Sequence, residues 1–294
     1  MIGQNVSQGN IPFLYVIFAL MMRDSNWWQF QGFLKTPSLF CEKEHDFPYP
    51  HLPTDLPVCD NDDFSSIPDN LMLGKRAERF LNFYLKSHHK FRIALENFQL
   101  IENKKTLGEI DFIVEDKETN KYLHIELSYK FYLFDPQVKP TGFSQWIGPN
   151  RNDSLPKKIE KLRNKQFPLL QHPALIETIQ SLGIHSDQIT PTACFKAQLF
   201  VPFGSSFQKF AGINQGAIRG QYFTWREFLA NQQTADGYFV PSKKEWLRAP
   251  ETQVEWFTLD TVIKEIKNKI SMKKSPLVWS KLGTETRSFF IIWW

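Results

Sequence analysis

Two neighbouring segments alternate between apolar and polar residues, the pattern typical of half-buried β-strands. In the first segment, 108–115, the apolar positions are Ile110, Phe112 and Val114. The second segment, 123–131, has apolar residues at every odd position. A short polar stretch separates the two segments, so together they predict a β-hairpin. Acidic residues collect on its polar face, namely Glu109, Asp111, Glu115 and Glu126.

The register of this hairpin decides which acids meet. If the apolar rows share a face, Asp111 must share the other face with Glu126. With a turn at 117–120 the two acids stand directly opposite each other, with Cβ atoms roughly 4.5–5.5 Å apart. A slip of two residues puts Glu109 or Ile113 opposite Glu126 instead. Like charges across a ladder are destabilising unless a cation or water screens them, so the pattern suits a divalent metal site, and it equally suits an ordinary solvated strand face.

Further elements surround the hairpin in a definite order. An apolar stripe at helical spacing predicts a helix over 73–88, and the segment 94–101 predicts a strand before the hairpin. A second helix is predicted over 155–167 and a further strand over 195–203. Because a helix connects the third and fourth strands, we expect those strands to be parallel. A last helix is predicted over 259–270.

The flanks of this core differ from it in composition. We expect an N-terminal arm over 1–72, a core over 73–205 and an aromatic-rich α+β extension over 206–294 that packs on the core. The arm is rich in proline and should run extended over the surface. Its apolar run at 11–22 lacks a basic flank and is too short to cross a bilayer. That run predicts a buried terminal helix, unless translation starts at its end.

Composition narrows the class of protein. Hydrophobic residues make up 42% of the chain and aromatic residues 15%, which indicates a folded protein rather than a disordered one. The formal net charge of +4 favours polyanions only slightly, so a nucleic-acid signal must come from local clustering. Three cysteines are too few for a disulfide framework and suit a reducing cytoplasm. The spacing of Cys41, His45, His51 and Cys59 matches no compact zinc motif.

Several ordered stretches carry a resemblance to a known family. They are LGEIDFIV at 107–114, HIELSYKFYL at 124–133, WIGPNRNDSLPKKIEKL at 146–162 and AQLFVPFG at 197–204. Together they resemble the bacterial domain of unknown function family 1853, from near Arg23 onward. The order of elements, with acids on the second and third strands, resembles the wider PD-(D/E)XK nuclease superfamily.

The superfamily resemblance implies a fold and a metal site. It implies an α/β fold with a restriction-endonuclease-like αβββαβ core and a mixed central sheet. It also implies that Glu78, Asp111 and Glu126 bind Mg²⁺ or Mn²⁺. In addition, a lysine is expected to orient the attacking water.

The lysine is where the chain departs from the superfamily pattern. The position two residues after Glu126 is Ser128, and the nearest lysine on the same face is Lys130. Four residues of strand separate Lys130 from Glu126 by roughly 13 Å, so its amine must lean back to reach the acids. The second helix offers substitutes at helical spacing: Lys158, Lys161 and Lys165.

These features predict a cytoplasmic, Mg²⁺-dependent phosphodiesterase that acts on nucleic acid. Asp111 and Glu126 would hold the ion and Lys130 would position the attacking water. Nucleic-acid phosphates would contact Arg151, Lys158 and Lys161, although a basic run equally suits a solvated helix face. The alternative is a catalytically inactive protein of the same fold that binds nucleic acid, or a protein partner through its aromatic surface. No membrane partner is expected.

Overall fold

Helices and strands alternate along the part of the chain that the computed structural model describes, residues 25–41, 48–50, 52–53, 67–205, 209–231, 235–248 and 254–294. The α-helices there are α1 (Ser25–Lys35), α2 (Leu73–Ser87), α3 (Leu155–Lys161), α4 (Pro173–Ser181), α5 (Trp225–Ala230) and α6 (Leu259–Ser271). The strands are β1 (Phe91–Glu102), β2 (Lys105–Asp116), β3 (Lys121–Phe134), β4 (Trp146–Ile147), β5 (Ile189–Pro202), β6 (Ile218–Thr224), β7 (Gly237–Phe239), β8 (Leu277–Leu282) and β9 (Glu285–Ile292). The helix predicted over 11–22 lies outside the described residues, as do three of the four residues weighed as zinc ligands.

All nine of these strands belong to one mixed sheet. Its order is β1-β2-β3-β5-β6-β9-β8-β7, and the short β4 pairs with β3. The β3/β5, β5/β6 and β6/β9 pairs are parallel, and the others are antiparallel. The predicted α/β fold with a mixed central sheet is therefore confirmed, as is the parallel pairing of β3 with β5. Strands β6 to β9 extend the same sheet beyond the predicted core.

The hairpin of β2 and β3 adopts the register predicted from a four-residue turn. Glu115 faces Tyr122, and the pairing continues to Phe112 opposite Ile125. One step further Asp111 would follow, but the backbone pairing of the two strands ends before it. The end of the ladder frees the backbone beyond it for contacts with side chains.

Both faces of this hairpin are covered by other elements. On one face Phe80 of α2 packs into the main core. On the other face Ile113 packs against Leu175 of α4. Asp111 is consequently only 7% exposed and Glu126 is fully buried. An ordinary solvated strand face therefore does not account for these two acids.

The second predicted helix is shorter than its sequence pattern indicates. Helix α3 ends at Lys161, and a π-helical turn (Leu162–Gln166) and a 3₁₀ turn (Phe167–Gln171) follow it. Pro168 has no backbone N–H to continue an α-helix, which explains the end of the regular pattern. The π turn places Gln166 where its side chain reaches β3.

No helix among the described residues combines the length and the apolar character needed to cross a membrane.

Candidate active site

Three carboxylates from two elements converge beside the end of the hairpin ladder. Glu78 comes from α2, and Glu109 and Asp111 come from β2. One oxygen atom from each side chain lies within 4.8 Å of the others. Alternation along β2 puts the last two on one side of the strand, and packing of α2 on the sheet brings the first to them. Carboxylate oxygens at this spacing could hold a hard divalent cation.

A lysine amine partly neutralises this acidic cluster. Lys75, one helical turn before Glu78, places Nζ 2.7 Å from Oε2 of Glu78 and 2.9 Å from Oε1 of Glu109. Burial alone would lower the pKa of Lys75, but its hydrogen bonds to the two carboxylates raise that pKa above its ordinary value. The ammonium group of Lys75 therefore lies between the carboxylates of Glu78 and Glu109.

Asp111 forms no ion pair with a described residue and is electrostatically the most perturbed member of the cluster. Its Oδ2 accepts a hydrogen bond of 2.9 Å from the backbone N–H of Leu127. Burial, and then the charges of Glu126 and Glu78, raise the pKa of Asp111 to about 8. Burial also raises the pKa of Glu78. At neutral pH the cluster therefore retains a proton on Asp111 that a divalent cation would displace.

Glu126 lies behind the cluster, and two side chains hold its two carboxylate oxygens. His124 Nε2 is 2.9 Å from Oε1 of Glu126, and Gln166 Nε2 donates to its other oxygen. The predicted metal-binding set therefore differs from the observed cluster. Glu78 and Asp111 meet Glu109, while Glu126 acts on both through its charge. Glu109 could have been found from its position on the same face of β2, whereas no local signal marks Gln166.

Lys130 and Lys158, two of the lysines predicted for the site, have different surroundings. Lys130 Nζ lies 2.5 Å from Oδ2 of Asp153 and is one third exposed. Lys158 Nζ donates to Oε1 of Gln166 at 3.2 Å. Burial and the nearby charge of Lys161 lower the pKa of Lys158 to about 8, although Glu126 opposes this shift. Gln166 thus connects the amine of Lys158 to the carboxylate of Glu126.

A cleft of about 680 Å³ opens beside these groups. Its walls carry five lysines, which are Lys75, Lys130, Lys158, Lys243 and Lys244. Glu78 is the member of the acidic cluster that lines the cleft. Ser128, at the sequence position where the superfamily pattern has a lysine, lines the cleft as well. Asp111 and Glu126 lie deeper. The cleft is therefore lined by five lysines and three acids, Asp69, Glu78 and Asp153, and this excess of positive charge suits a polyanion.

Two of the residues predicted to contact nucleic acid lie away from this cleft. The guanidinium group of Arg151 bonds to Asp135 and lies 4.1 Å above the ring of Trp294. Lys161 is exposed on α3 and does not line the cleft. Lys158 does line it. The three predicted phosphate contacts therefore have different surroundings. Arg151 contacts Trp294 at the C-terminal end, Lys161 lies on a solvated face of α3, and Lys158 lines the cleft.

These features define a mixed α/β protein whose partly buried acidic cluster could hold a metal ion. Residues 56–288 match the family described as Domain of unknown function (DUF1853). The chain belongs to this family, as its motifs predict. No curated protein and no solved structure matches the chain. The placement in the wider nuclease superfamily stays a prediction.

Proposed function

We propose that the protein is a phosphodiesterase that depends on a divalent metal and acts on nucleic acid. The observation that carries this proposal is the convergence of Glu78, Glu109 and Asp111, of which Glu78 lines a cleft that also has five lysines in its walls. The carboxylates supply the oxygen ligands that Mg²⁺ and Mn²⁺ prefer, and the lysines supply charge for phosphates. The resemblance to nucleases in the order of elements supports the same activity.

The donor set fits a hard divalent cation. Glu78, Glu109 and Asp111 would hold it, with the hydrogen bond from Leu127 N–H fixing the orientation of Asp111. Such an ion polarises a phosphoryl oxygen and lowers the pKa of water. Lys75 would give up its contacts with the acids and could then contact phosphate. The raised pKa of Asp111 supports this assignment, because a bound cation would offset the burial and the neighbouring negative charges that raise it.

We assign to Lys158 the role that the sequence predicts for Lys130. Lys158 is linked through Gln166 to Glu126, behind the acidic cluster, while Lys130 is paired with Asp153. As an ammonium group, Lys158 would stabilise the negative charge that accumulates on the phosphate as the attacking oxygen approaches. With a pKa of about 8 it can also exchange a proton near neutral pH. Lys130 remains free to hold Asp153 at the cleft wall.

Cleavage of end-labelled DNA and RNA by the purified protein tests this proposal. We expect cleavage with Mg²⁺ or Mn²⁺ and none with EDTA. Asp111→Asn should abolish it, and Lys158→Ala should lower kcat by about 100-fold while metal binding by calorimetry stays intact. Lys157→Ala, an exposed lysine one position away, is the matched control and should cleave normally. Cleavage by Asp111→Asn at the wild-type rate would refute the proposed site.

A second candidate function rests on Ser128, which stands where the superfamily has its lysine. In this case the protein binds nucleic acid in the cleft without cutting it. Calorimetry separates the two candidates, because a binding protein has no need of the metal. Nucleic-acid binding that persists without any measurable affinity for Mg²⁺ or Mn²⁺ would favour this second function.

A further inference from the structure

The segment 148–153, between β4 and α3, forms one wall of the cleft. All of its residues except Arg151 line the cleft. The carboxylates of the acidic cluster and the lysines of the cleft lie on other parts of the chain, so the proposed reaction leaves this wall without a role in binding. The wall nevertheless borders the space in which a substrate would lie.

Residues close to the C-terminal end of the chain hold this wall from outside the cleft. The carbonyl oxygen of Pro149 accepts two hydrogen bonds, one of 2.7 Å from Oγ of Ser275 and one of 3.1 Å from Nε1 of Trp294. Neither donor residue lines the cleft, and Ser275 is buried. Contacts between parts of the chain that are distant in sequence therefore fix the backbone of the wall.

Ser275 also determines how the side chain of Asn150 is oriented. The backbone N–H of Ser275 donates a hydrogen bond of 2.8 Å to Oδ1 of Asn150. Because a backbone N–H can only donate, the amide atom that it contacts must be the oxygen, which leaves the amide nitrogen for other contacts. Asn150 is half-buried and lines the cleft. Its Nδ2 has no hydrogen-bond partner among the described residues and is not enclosed by protein atoms, so a ligand in the cleft can reach it.

The carboxylate of Asp153, in the same wall, has both of its oxygens engaged. Oδ2 lies 2.5 Å from Nζ of Lys130, and Oδ1 accepts a hydrogen bond of 2.9 Å from the backbone N–H of Ser154. These contacts compensate the charge of Asp153 and so weaken its repulsion of an anion beside Asn150. Asparagine side chains are among the donors that proteins use to contact phosphate oxygens.

We propose that Asn150 binds a phosphate of the nucleic acid in the cleft, with Nδ2 donating to a phosphate oxygen, and that Ser275 and Trp294 are positioning residues for this contact. The inference rests on the proposed function, because it takes nucleic acid as the ligand of the cleft. A phosphate contact fixes where the strand lies without reading its bases. Loss of the contact should therefore weaken the binding of different sequences to the same extent.

Fluorescence anisotropy of labelled single-stranded DNA and RNA oligonucleotides in EDTA tests the contact without cleavage. Asn150→Asp keeps an oxygen for the N–H of Ser275 and removes the donor, so binding should weaken about ten-fold or more. Asn150→Ala removes the donor without adding charge and should weaken binding about five-fold. Asn268→Asp adds the same charge at an exposed position of α6 outside the cleft and should bind like the wild type.

Trp294→Phe tests the positioning role. It keeps an aromatic ring beside Arg151 and removes the donor to Pro149, so binding should weaken several-fold. In a protein that already carries Asn150→Ala, the same change should cause no further loss, because its effect passes through Asn150. A merely structural effect would add to the loss from Asn150→Ala and would overturn the positioning role.

The binding results also separate this inference from the proposed function. Wild-type affinity in Asn150→Asp and Asn150→Ala would overturn the inference and leave the proposed function standing. Failure of the wild-type protein to bind either oligonucleotide would overturn both. Urea denaturation of each variant shows that a loss of binding does not come from unfolding.

Discussion

Replacing Asp111 with asparagine should stabilise the metal-free protein at neutral and alkaline pH. The carboxylate is 7% exposed, and burial together with Glu126 and Glu78 raises its pKa to about 8. Asparagine has the same shape and retains an oxygen that can accept the hydrogen bond from Leu127 N–H. The substitution therefore removes the cost of keeping a proton on this buried group, which the unfolded chain releases, and it keeps the local hydrogen bond.

The sign and size of the effect follow from the pKa of Asp111 in the two states. The unfolded chain releases this proton near pH 3.8, whereas the folded protein keeps it until about pH 8. Between those values the unfolded state binds fewer protons, so the wild-type free energy of unfolding falls as pH rises. One pH unit corresponds to about 1.4 kcal/mol, so the loss between pH 5 and pH 8 is on the order of 4 kcal/mol.

Urea denaturation in EDTA at several pH values measures this effect. The difference in unfolding free energy between Asp111→Asn and wild type should increase in favour of the variant from pH 5 to pH 8. Taking the difference between the two proteins cancels the titration of the other groups. A difference that stays constant over this range would refute the raised pKa and with it the electrostatic account of the site.

Asp116 provides a matched control on the same strand. It is similarly buried, but it accepts hydrogen bonds from the backbone of Glu118 and Thr119 and lies 3.5 Å from the amine of Lys90. Asp116→Asn should therefore destabilise the protein, by about 1 kcal/mol, because the contact with a cation is lost. Opposite signs for the two substitutions would show that surroundings, and not burial alone, determine the response.

Three further predictions concern the surroundings of the site and the packing of the helices. Glu126→Ala should lower the unfolding free energy by about 3 kcal/mol in urea, because the buried His124 and the half-buried Gln166 lose their hydrogen-bonding partner. Gly32→Ala should lower the unfolding free energy by about 2 kcal/mol or more, because a Cβ there would lie 1.8 Å from the carbonyl oxygen of Leu247. Gly74→Ala is the control: a Cβ there meets nothing within 4 Å, so this change should be neutral or stabilising. Lys75→Met should tighten Mn²⁺ binding several-fold in calorimetry, because the amine no longer competes for the carboxylates, and unchanged affinity would contradict that competition.

The hairpin could be predicted from the sequence because its information is local. A four-residue turn fixes the register, as the pairing of Glu115 with Tyr122 shows. The predicted apolar row of β2 is wrong at Ile110, which packs with Ile113 and not in the cluster of Phe112 and Val114. The order of helices and strands is likewise set by periodicity along the chain. These features depend on residues that are close together in the sequence, so a sequence pattern can predict them.

The composition of the acidic cluster could not be predicted in the same way. Ideal pairing puts Asp111 opposite Glu126, but the ladder ends one pair earlier and Asp111 accepts a bond from the Leu127 backbone instead. The end of the ladder brings Glu109 into the cluster. It also leaves Glu126 to His124 and Gln166. Where a ladder ends depends on the packing around both strands, which a pattern along one strand does not contain.

The sequence also could not predict which groups the lysine amines contact. Spacing along β3 favoured Lys130, yet its amine finds Asp153 on a different segment. Lys158 reaches the acids through Gln166 because the chain leaves the α-helix in a π turn after Lys161.

Charge balance connects the acidic cluster with its proposed activity. Four carboxylates, from Glu78, Glu109, Asp111 and Glu126, influence one another, and the amines of Lys75 and Lys158 act on them. Without a metal, a proton on Asp111 leaves three negative charges beside two positive ones. A divalent cation that replaces this proton would set four negative charges against four positive ones. The site is therefore better balanced with the ion than without it, and the proton on Asp111 is the group that the ion replaces.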